Sequence, residues 1–130
     1  MAAQGSFRGQ TSGGSFLITV IGSINLDLIA TVDRLPNPGE TVPGSTFATA
    51  AGGKGANQAL AAARAGGRVR MIGVVGEDAF AGEALALLDK GGVDLSGVSR
   101  VIDPTGTALI LVGDDGENMI AVVPGANGTV

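Results

Sequence analysis

The sequence predicts an α/β fold built from parallel βαβ units. Apolar, β-branched runs at 16–21 and 69–75 are typical of buried strands. Two predicted helices, each ended by a glycine pair, alternate with these strands, and this alternation favours parallel βαβ units with right-handed crossovers. Further apolar segments at about 28–51 and 105–123 lie outside the alternation and need a different place in the fold.

The first half of the chain is predicted as strand, extended segment, turn, strand and helix. The strand at 16–21 leads into an extended segment at 28–32. A turn follows at 35–40, where two prolines exclude a regular helix. An irregular strand covers 41–51, and an alanine-rich helix at 57–65 ends at a glycine pair.

The second half begins with the second apolar strand. Asp78 is the predicted N-cap of a helix over 79–90, because its carboxylate can accept a hydrogen bond from the first helical turn. A short third core strand is expected at 98–102. A hairpin follows around the DDGE turn, with strands at 107–112 and 118–123.

Three extended segments, LIATV, ALILV and MIAVV, are apolar at successive positions. A strand with one wet face alternates, so these segments are expected to be covered on both faces. One interpretation is a separate sheet with one face over a pocket and the other against a partner. The alternative is that they belong to the buried central sheet.

A glycine-rich segment, AGGKGANQALAAARAGG, leads into the first helix. Gly52, Gly53 and Gly55 allow the backbone to approach a ligand closely. Asn57 lies where the helix is predicted to begin, Lys54 adds a cation, and a first helical turn has unpaired N–H donors. The segment suits a polyhydroxylated or anionic small molecule, since it matches neither the P-loop nor the dinucleotide pattern. The alternative is a tight strand-to-helix turn with a solvated lysine.

A second polar cluster, GSINLD, follows the first strand. Asn25 and Asp27 are two positions apart, so in an extended chain their side chains point to the same face. A carboxylate can accept from two neighbouring hydroxyls, while the amide donates and accepts, so the pair suits a vicinal diol. The alternative is that one of the two caps a turn.

Together these stretches carry a family resemblance. GSINLD, PNPGET, AGGKGANQA, GEDAFAG, TGTALILV, GEN and PGAN resemble, in this order, the motifs of the PfkB-type family of carbohydrate kinases. GGKGAN with an upstream N-x-D is typical of the family's ribokinase-like members. The resemblance runs from about residue 16 to the last residue. It implies the N-terminal part of a ribokinase-like fold, in which 28–51 and 105–123 form a protruding β-sheet lid over the parallel core.

The resemblance also implies a sugar site. The N-x-D pair would bind sugar hydroxyls, and GGKGAN would close the other side of the sugar. Ala108 and Ile120 fall on positions that cover the sugar with apolar surface. The full set of substrate-binding residues implied in this way is Asn25, Leu26, Asp27, Gly52, Gly53, Lys54, Gly55, Ala56, Asn57, Ala108 and Ile120.

The family's second signature, a D-T-x-G-A-G-D segment, does not occur in these 130 residues. In the family its glycines form an anion hole and its last aspartate is the catalytic base, so no residue of this chain is assigned a catalytic role. The sites for ATP, Mg²⁺ and a monovalent cation (K⁺) belong to the same C-terminal part. We therefore expect a truncated chain that binds these cofactors poorly and does not turn over by itself.

Composition excludes several classes of function. The net charge of −4 does not indicate the basic surface that nucleic-acid binding requires. The absence of cysteine and histidine excludes disulfides, thiolate metal sites and Ser-His or Cys-His catalysis. No segment is apolar enough for a membrane span, and residues 1–15 lack the apolar core of a secretory signal, so we expect a cytoplasmic protein. Residues 1–15 predict a disordered extension, with an expression tag or a transit peptide as alternatives.

Three hypotheses about function remain open from the sequence. The first is the sugar-binding half of a ribose-phosphorylating kinase. The second is the same half of another PfkB-type sugar or nucleoside kinase. The third is a non-enzymatic module that associates through its lid. In each case the resemblance implies a homodimer formed lid against lid, with ribose as the expected small-molecule ligand of the first.

Overall fold

The structure is a computed structural model that describes residues 16–130, so the predicted extension at 1–15 lies outside the described residues. The elements are β1 (Leu17–Ile21), β2 (Asn25–Val32), β3 (Gly44–Gly52), α1 (Lys54–Arg64), β4 (Arg68–Gly76), α2 (Ala79–Lys90), β5 (Asp94–Val101), β6 (Gly106–Gly113), β7 (Asn118–Val123) and a 3₁₀ helix (Gly125–Thr129).

A three-stranded parallel sheet with the order β1-β4-β5 forms the core. The strands pair in parallel, with Val20 opposite Met71 and Val74 opposite Ser99, so the predicted βαβ arrangement is confirmed. The apolar sequence of β4 places alternate side chains on one face, where Val69, Met71 and Val75 are buried.

Helices α1 and α2 complete this core. Their alanines allow close approach to the sheet, and Ala59 and Ala84 are fully buried. The core cluster contains Ile24, Leu26, Ala56, Ala59, Val69, Met71, Val75, Ala81, Ala84, Leu85, Leu88 and Val93. Within residues 16–130, no helix is long and apolar enough to cross a membrane.

Four further strands form a separate sheet with the order β3-β2-β6-β7, for which we keep the name lid. β2 and β6 pair in parallel, whereas the outer pairs are antiparallel. The alternative in which these strands join the central sheet is therefore wrong. The predicted hairpin of β6 and β7 is confirmed, and its turn is closed by the Gly113 N–H donating to the Glu117 carbonyl over 2.8 Å.

Four predicted boundaries are corrected. Strand β2 begins at Asn25, three positions before the predicted 28, and β3 begins at Gly44, three positions after the predicted 41. Helix α1 begins at Lys54 and not at 57, because Gly53 is its N-cap with a φ of 93° that favours glycine. Asn57 consequently lies inside the first turn, where its N–H donates to the Gly53 carbonyl over 2.9 Å. Strand β5 begins at Asp94, four positions before the predicted 98, since its polar and glycine-containing start still pairs with β4.

The predicted helix over 79–90 is confirmed in its bounds and in its cap. The Asp78 side chain accepts a hydrogen bond from the Ala81 N–H at 3.1 Å. This agreement reflects a local cause, because an N-cap acts only on the turn that follows it.

Candidate functional site

Asn25 and Asp27 lie at the start of β2, the strand that joins the lid to the core. Both are half-buried on one face of β2, while Leu26 between them points the other way and is fully buried in the core. The two-residue alternation predicted from the sequence is confirmed. Both polar side chains therefore share the face of the lid that leads away from the core cluster.

Small residues surround this polar pair. Asn25 is paired with a glycine on each neighbouring strand, Gly52 on β3 and Gly106 on β6. Asp27 is paired in the same way with Ala50 and Ala108. Directly paired residues share a face of the sheet, so the neighbours of both polar side chains on the adjacent strands are all glycine or alanine.

The glycine at position 52 is required by the Asp27 carboxylate. A Cβ at Gly52 would lie 2.5 Å from Oδ1 and 2.7 Å from Oδ2 of Asp27. A side chain there would displace the carboxylate. The first glycine of the GGKGAN segment therefore gives Asp27 its place.

Asp27 is unusual in its electrostatics. Its carboxylate accepts no hydrogen bond from residues 16–130, and burial raises its pKa above the usual value of 3.8. Burying an ionised group without a partner is unfavourable, because the group loses hydration and gains nothing in return. Such a carboxylate can regain hydrogen bonds from a hydroxylated ligand.

Asn25 differs from Asp27 because the protein itself holds its side chain. The Asn127 Nδ2 group donates to the Asn25 Oδ1 over 2.7 Å and to the Ile24 carbonyl over 3.2 Å. The Asn127 Oδ1 accepts from the Ile24 N–H at 3.0 Å. The side-chain oxygen of Asn25 is thus engaged, and its NH₂ group remains available for a ligand.

The start of α1 packs against the turn between β1 and β2. A Cβ at Gly55 would lie 2.7 Å from the backbone of Gly22 and Ser23, and the Ala56 N–H donates to the Ser23 carbonyl over 2.9 Å. A Cβ at Gly53 would lie 2.7 Å from the Ser23 carbonyl oxygen and 3.0 Å from the backbone nitrogen of Asn25. The glycines therefore bring the first turn of α1 beside the polar pair.

This packing divides the residues of GGKGAN into two groups. Lys54 and Asn57 are exposed, and their side chains are free to meet a ligand. Gly55 is buried, and Ala56 is only 4% exposed. Leu26, fully buried, has no surface that a ligand could contact. We therefore assign Leu26 to packing, and the roles of Gly55 and Ala56 at the site remain predictions.

The two apolar positions lie on the same face as the polar pair. Ala108 is 6% exposed and directly opposite Asp27. Ile120 on β7 is opposite Ile110, which is two positions beyond Ala108 on β6. Ile120 is 55% exposed and continues this face as an apolar surface.

No group of three or more acidic, cysteine or histidine side chains within 16–130 is arranged to hold a metal ion. Asp27 is the acidic residue of the candidate site, and Lys54 is the cation that the GGKGAN segment supplies. An unpaired acceptor at Asp27 beside the donors of Asn25 and Lys54 fits the binding of a neutral, hydroxylated molecule.

Known proteins that resemble the chain identify its family. Residues 15–130 match the family model described as pfkB family carbohydrate kinase. The chain belongs to this family. Both the family and the ribokinase-like fold that the motifs predicted are thereby confirmed.

Individual relatives of this pfkB family chain are kinases of sugars. Ribokinase of Lactococcus lactis is 47% identical over 114 residues, which cover 87% of this chain and 38% of that protein. Deoxyribokinase of Salmonella typhi is 40% identical over 111 residues, covering 85% of this chain and 36% of that protein. The structure of Arabidopsis thaliana ribokinase complexed with ribose and ATP has a TM-score of 0.81 and 40% identity, covering 88% of this chain and 38% of that chain. The chain thus spans a little over a third of the length of these relatives.

Sequence reasoning missed two features of this pfkB family site. The sequence marks Asn127 only as part of PGAN, whereas its contact with Asn25 spans 102 positions. Thr105 is 1% exposed, and its hydroxyl donates to the Asp78 carboxylate at 2.6 Å while accepting from the Gly76 N–H at 2.9 Å. This contact holds the start of β6 to the end of β4. The only sequence signal was the presence of Asp78 and Thr105 in two of the motifs.

Proposed function

We propose that this chain is the sugar-binding portion of an ATP-dependent ribokinase, which converts ribose and ATP to ribose 5-phosphate and ADP. The observation that carries the proposal is the Asp27 carboxylate, half-buried and without a hydrogen bond from residues 16–130. It lies beside Asn25, and the residues paired with both on the neighbouring strands are glycine or alanine. A vicinal diol supplies the two donors that such a carboxylate lacks.

In this proposal each polar residue has a distinct role. Asp27 accepts hydrogen bonds from two neighbouring sugar hydroxyls, and Asn25 contributes a hydrogen bond beside them. Gly53, Lys54 and Asn57 approach the sugar from the start of α1, where the exposed lysine and the exposed asparagine amide add donors. Gly52 leaves the space that Asp27 occupies.

The apolar side of the sugar is assigned to the lid. Ala108 lies opposite Asp27, and its small side chain leaves room for a ring. Ile120 extends the same face as an exposed apolar side chain. Pockets for small molecules commonly combine a few polar groups with such apolar walls. This combination supports a sugar ligand.

We assign ATP, Mg²⁺, K⁺ and the catalytic base to the part of the relatives that this chain does not span. Residues 16–130 contain no group of three or more acidic, cysteine or histidine side chains that could hold a metal ion. Phosphoryl transfer depends on positioning and charge stabilisation around the phosphoryl group, and Asp27 on its own supplies neither. We therefore expect no turnover by the 130-residue chain alone.

The binding role is tested by titrating the protein with ribose in a calorimeter. Asp27→Ala removes a charged acceptor worth about 1.5–3 kcal/mol per hydrogen bond, so the Kd is expected to rise about 10- to 150-fold. Asp33→Ala is the matched control, because Asp33 is an exposed carboxylate just beyond the end of the same strand. Equal Kd values for the Asp27→Ala variant and the unsubstituted protein would disprove the role of Asp27.

Turnover is tested by ADP release with ribose, ATP, Mg²⁺ and K⁺. The chain is compared with a chimera in which it is joined to the part of the Lactococcus lactis ribokinase that follows the matched region. We expect ribose-dependent ADP release from the chimera alone. Release by the 130-residue chain would show that the catalytic groups are present within it.

The main alternative substrate is 2-deoxyribose, because a deoxyribokinase is 40% identical to the chain. The two sugars differ by one hydroxyl, so a site that binds this hydroxyl should discriminate strongly. Titration with ribose, 2-deoxyribose and adenosine separates the candidates. Tighter binding of adenosine than of ribose would favour a nucleoside kinase.

We further propose that the protein is a homodimer formed through the lid. On the face opposite Asp27, Phe47, Ala30, Leu111 and Met119 form a continuous apolar row across all four strands. Phe47 is 69% exposed and Met119 50% exposed. Exposed apolar rows of this kind mark association surfaces.

Sedimentation velocity tests the dimer. Phe47→Asp should shift the protein to monomer, because it places a charge in the apolar row. Ile102→Asp is the control, since Ile102 is 92% exposed but lies outside the lid. A protein that forms the dimer but has no affinity for ribose would instead favour the hypothesis of a non-enzymatic module.

A further inference from the structure

We infer that Asn127 is a positioning residue that fixes the Asn25 amide, so that Asn25 offers its NH₂ group and not its oxygen to the sugar. The inference deepens the proposed function and rests on it for the identity of the ligand. It assigns to PGAN, the last of the motifs, a role in determining the hydrogen-bond polarity of the site.

The orientation of Asn127 follows from two backbone groups whose polarity is fixed. The Ile24 N–H can only donate, so the atom of Asn127 that faces it at 3.0 Å must be the oxygen. The Ile24 carbonyl can only accept, so the atom that faces it at 3.2 Å must be the nitrogen. One Asn127 side chain thus satisfies both backbone groups of Ile24.

The orientation of Asn25 then follows from that of Asn127. The same Asn127 nitrogen faces the Asn25 side chain at 2.7 Å, so the atom it contacts must be the Asn25 oxygen. The Asn25 nitrogen is directed away from this contact and donates to no group within residues 16–130. Gly106 leaves the space for this contact, because a Cβ there would overlap both asparagine side chains.

The short 3₁₀ helix that carries Asn127 is held in place independently of the site. The Ala126 N–H donates to the Pro104 carbonyl over 2.7 Å, and Ala126 is fully buried. The Thr129 hydroxyl donates to the Ala126 carbonyl over 2.7 Å. Asn127 therefore extends from a fixed support, which is what a positioning residue requires.

The consequence is a site with opposite polarities side by side. Asp27 can only accept when ionised, and the positioned Asn25 presents its unengaged NH₂ group, a donor, to a ligand. A sugar hydroxyl can donate to Asp27 and accept from Asn25 at the same time. A group that can only accept, such as a carbonyl or an ether oxygen at the same place, would leave Asp27 unpaired.

Asn127→Asp tests this positioning with a nearly isosteric change. The new carboxylate still accepts from the Ile24 N–H, but it cannot donate to the Asn25 oxygen. The Asn25 amide should therefore rotate, donate to the new carboxylate and turn its oxygen toward the sugar. The Kd for ribose should rise about 5- to 150-fold, the range for a lost and unsatisfied hydrogen bond. Asn118→Asp, an exposed asparagine on β7, controls for the added charge.

A double substitution separates positioning from general structural damage. In an Asn25→Ala background, Asn127→Asp should change the Kd for ribose less than about twofold, because the group that Asn127 positions is gone. The same fold-loss in both backgrounds would overturn the inference. Asn25→Asp is the second variant, since its carboxylate can still accept from Asn127 but offers no donor. Unchanged ribose affinity in this variant would also overturn it.

A ligand-free measurement keeps the inference separate from the proposed function. The side-chain NH₂ of Asn25, assigned by NMR from its loss in Asn25→Ala, should exchange rapidly with water in the unsubstituted protein. It should exchange slowly in Asn127→Asp, where it donates to the new carboxylate. Identical exchange in the two proteins would refute the positioning role. Failure of the unsubstituted protein to bind ribose would refute the proposed function alone.

Discussion

On β4 of the parallel sheet, Val69, Met71 and Val75 are buried against the helices, whereas every residue of β7 in the lid is exposed. Both strands are rich in apolar side chains, so the difference lies in what covers them. Helices α1 and α2 cover β4, and nothing within residues 16–130 covers β7. Stability should therefore depend on the parallel sheet, and binding on the lid.

The candidate site lies where these two regions meet. Leu26 belongs to the core cluster, while its neighbours Asn25 and Asp27 face the open side of the lid. A single strand thus belongs both to the core, through Leu26, and to the candidate site, through Asn25 and Asp27. Substitutions on its two faces should affect different measurements.

The largest expected difference between the two regions is in the free energy of unfolding, when a methionine of each region is replaced by alanine. Met71→Ala opens a cavity at a fully buried position and should lower the free energy of unfolding by about 2–5 kcal/mol. Met119→Ala, at a position 50% exposed, should change it by less than about 0.5 kcal/mol in the monomer. Urea unfolding measures both. A comparable loss in the two variants would mean that the lid contributes to the core.

The contact between the regions should give an intermediate effect. Thr105→Val keeps the shape of the side chain but leaves the buried Gly76 N–H without its acceptor, so we expect a loss of about 1–3 kcal/mol of unfolding free energy. Thr46→Val on exposed β3 is the control and should stay within about 0.5 kcal/mol. A stable Thr105→Val protein would indicate that β6 is held by its strand pairing alone.

A substitution in the lid should weaken binding with little effect on stability. Gly52→Ala places a Cβ 2.5 Å from the Asp27 Oδ1, so the carboxylate must move and the Kd for ribose should rise about tenfold. Gly82→Ala in α2 meets no atom within 4 Å, so it should leave the Kd unchanged and stabilise the helix by about 0.5–1 kcal/mol. Calorimetry and urea unfolding of both variants test the separation. Full ribose affinity in Gly52→Ala would show that Asp27 tolerates displacement.

The sequence predicted the features whose causes are local. The shared face of Asn25 and Asp27 follows from the two-residue period of any strand. The start of α2 follows from Asp78, which caps the turn directly after it. Family motifs extended these predictions to the lid positions Ala108 and Ile120, and the strand register places both on the face of Asp27.

Features with distant causes could not be predicted in this way. The early start of α1 depends on a positive φ at Gly53 and on the Ala56 N–H finding the Ser23 carbonyl, a contact between separate segments. Asn127 reaches Asn25 across 102 positions, and no local pattern distinguishes it from an ordinary loop asparagine. Long-range contacts of this kind depend on the packed fold.

The smallest expected effects concern two carboxylates of opposite character. The Thr105 hydroxyl and backbone N–H groups hold the pKa of Asp78 below the usual 3.8, while burial raises the pKa of Asp27 above it. Asp78 therefore contributes stability above pH 3.8 that is lost as the pH falls through its lowered pKa. For Asp27 the folded state holds the proton more tightly, so stability falls as the pH rises from 3.8 through its raised pKa.

The two carboxylates should thus shape the pH dependence of the unfolding free energy on opposite sides of pH 3.8. Below this pH the free energy of unfolding rises with pH, and Asp78→Asn should make this rise shallower. Above it the free energy of unfolding falls with pH, and Asp27→Asn should make this fall shallower. Urea unfolding at pH values from about 2.5 to 6 measures both slopes. Glu40, whose pKa is lowered to about 2 by Arg34, is present in both variants and cancels in the comparison. Asp27→Asn should also be slightly more stable at neutral pH, because the ionised carboxylate has no hydrogen-bond partner in the folded protein. It should bind ribose less well, because the charged acceptor for the sugar hydroxyls is lost. An unchanged slope above pH 3.8 in Asp27→Asn would mean that the Asp27 carboxylate is as well solvated in the folded protein as in the unfolded chain.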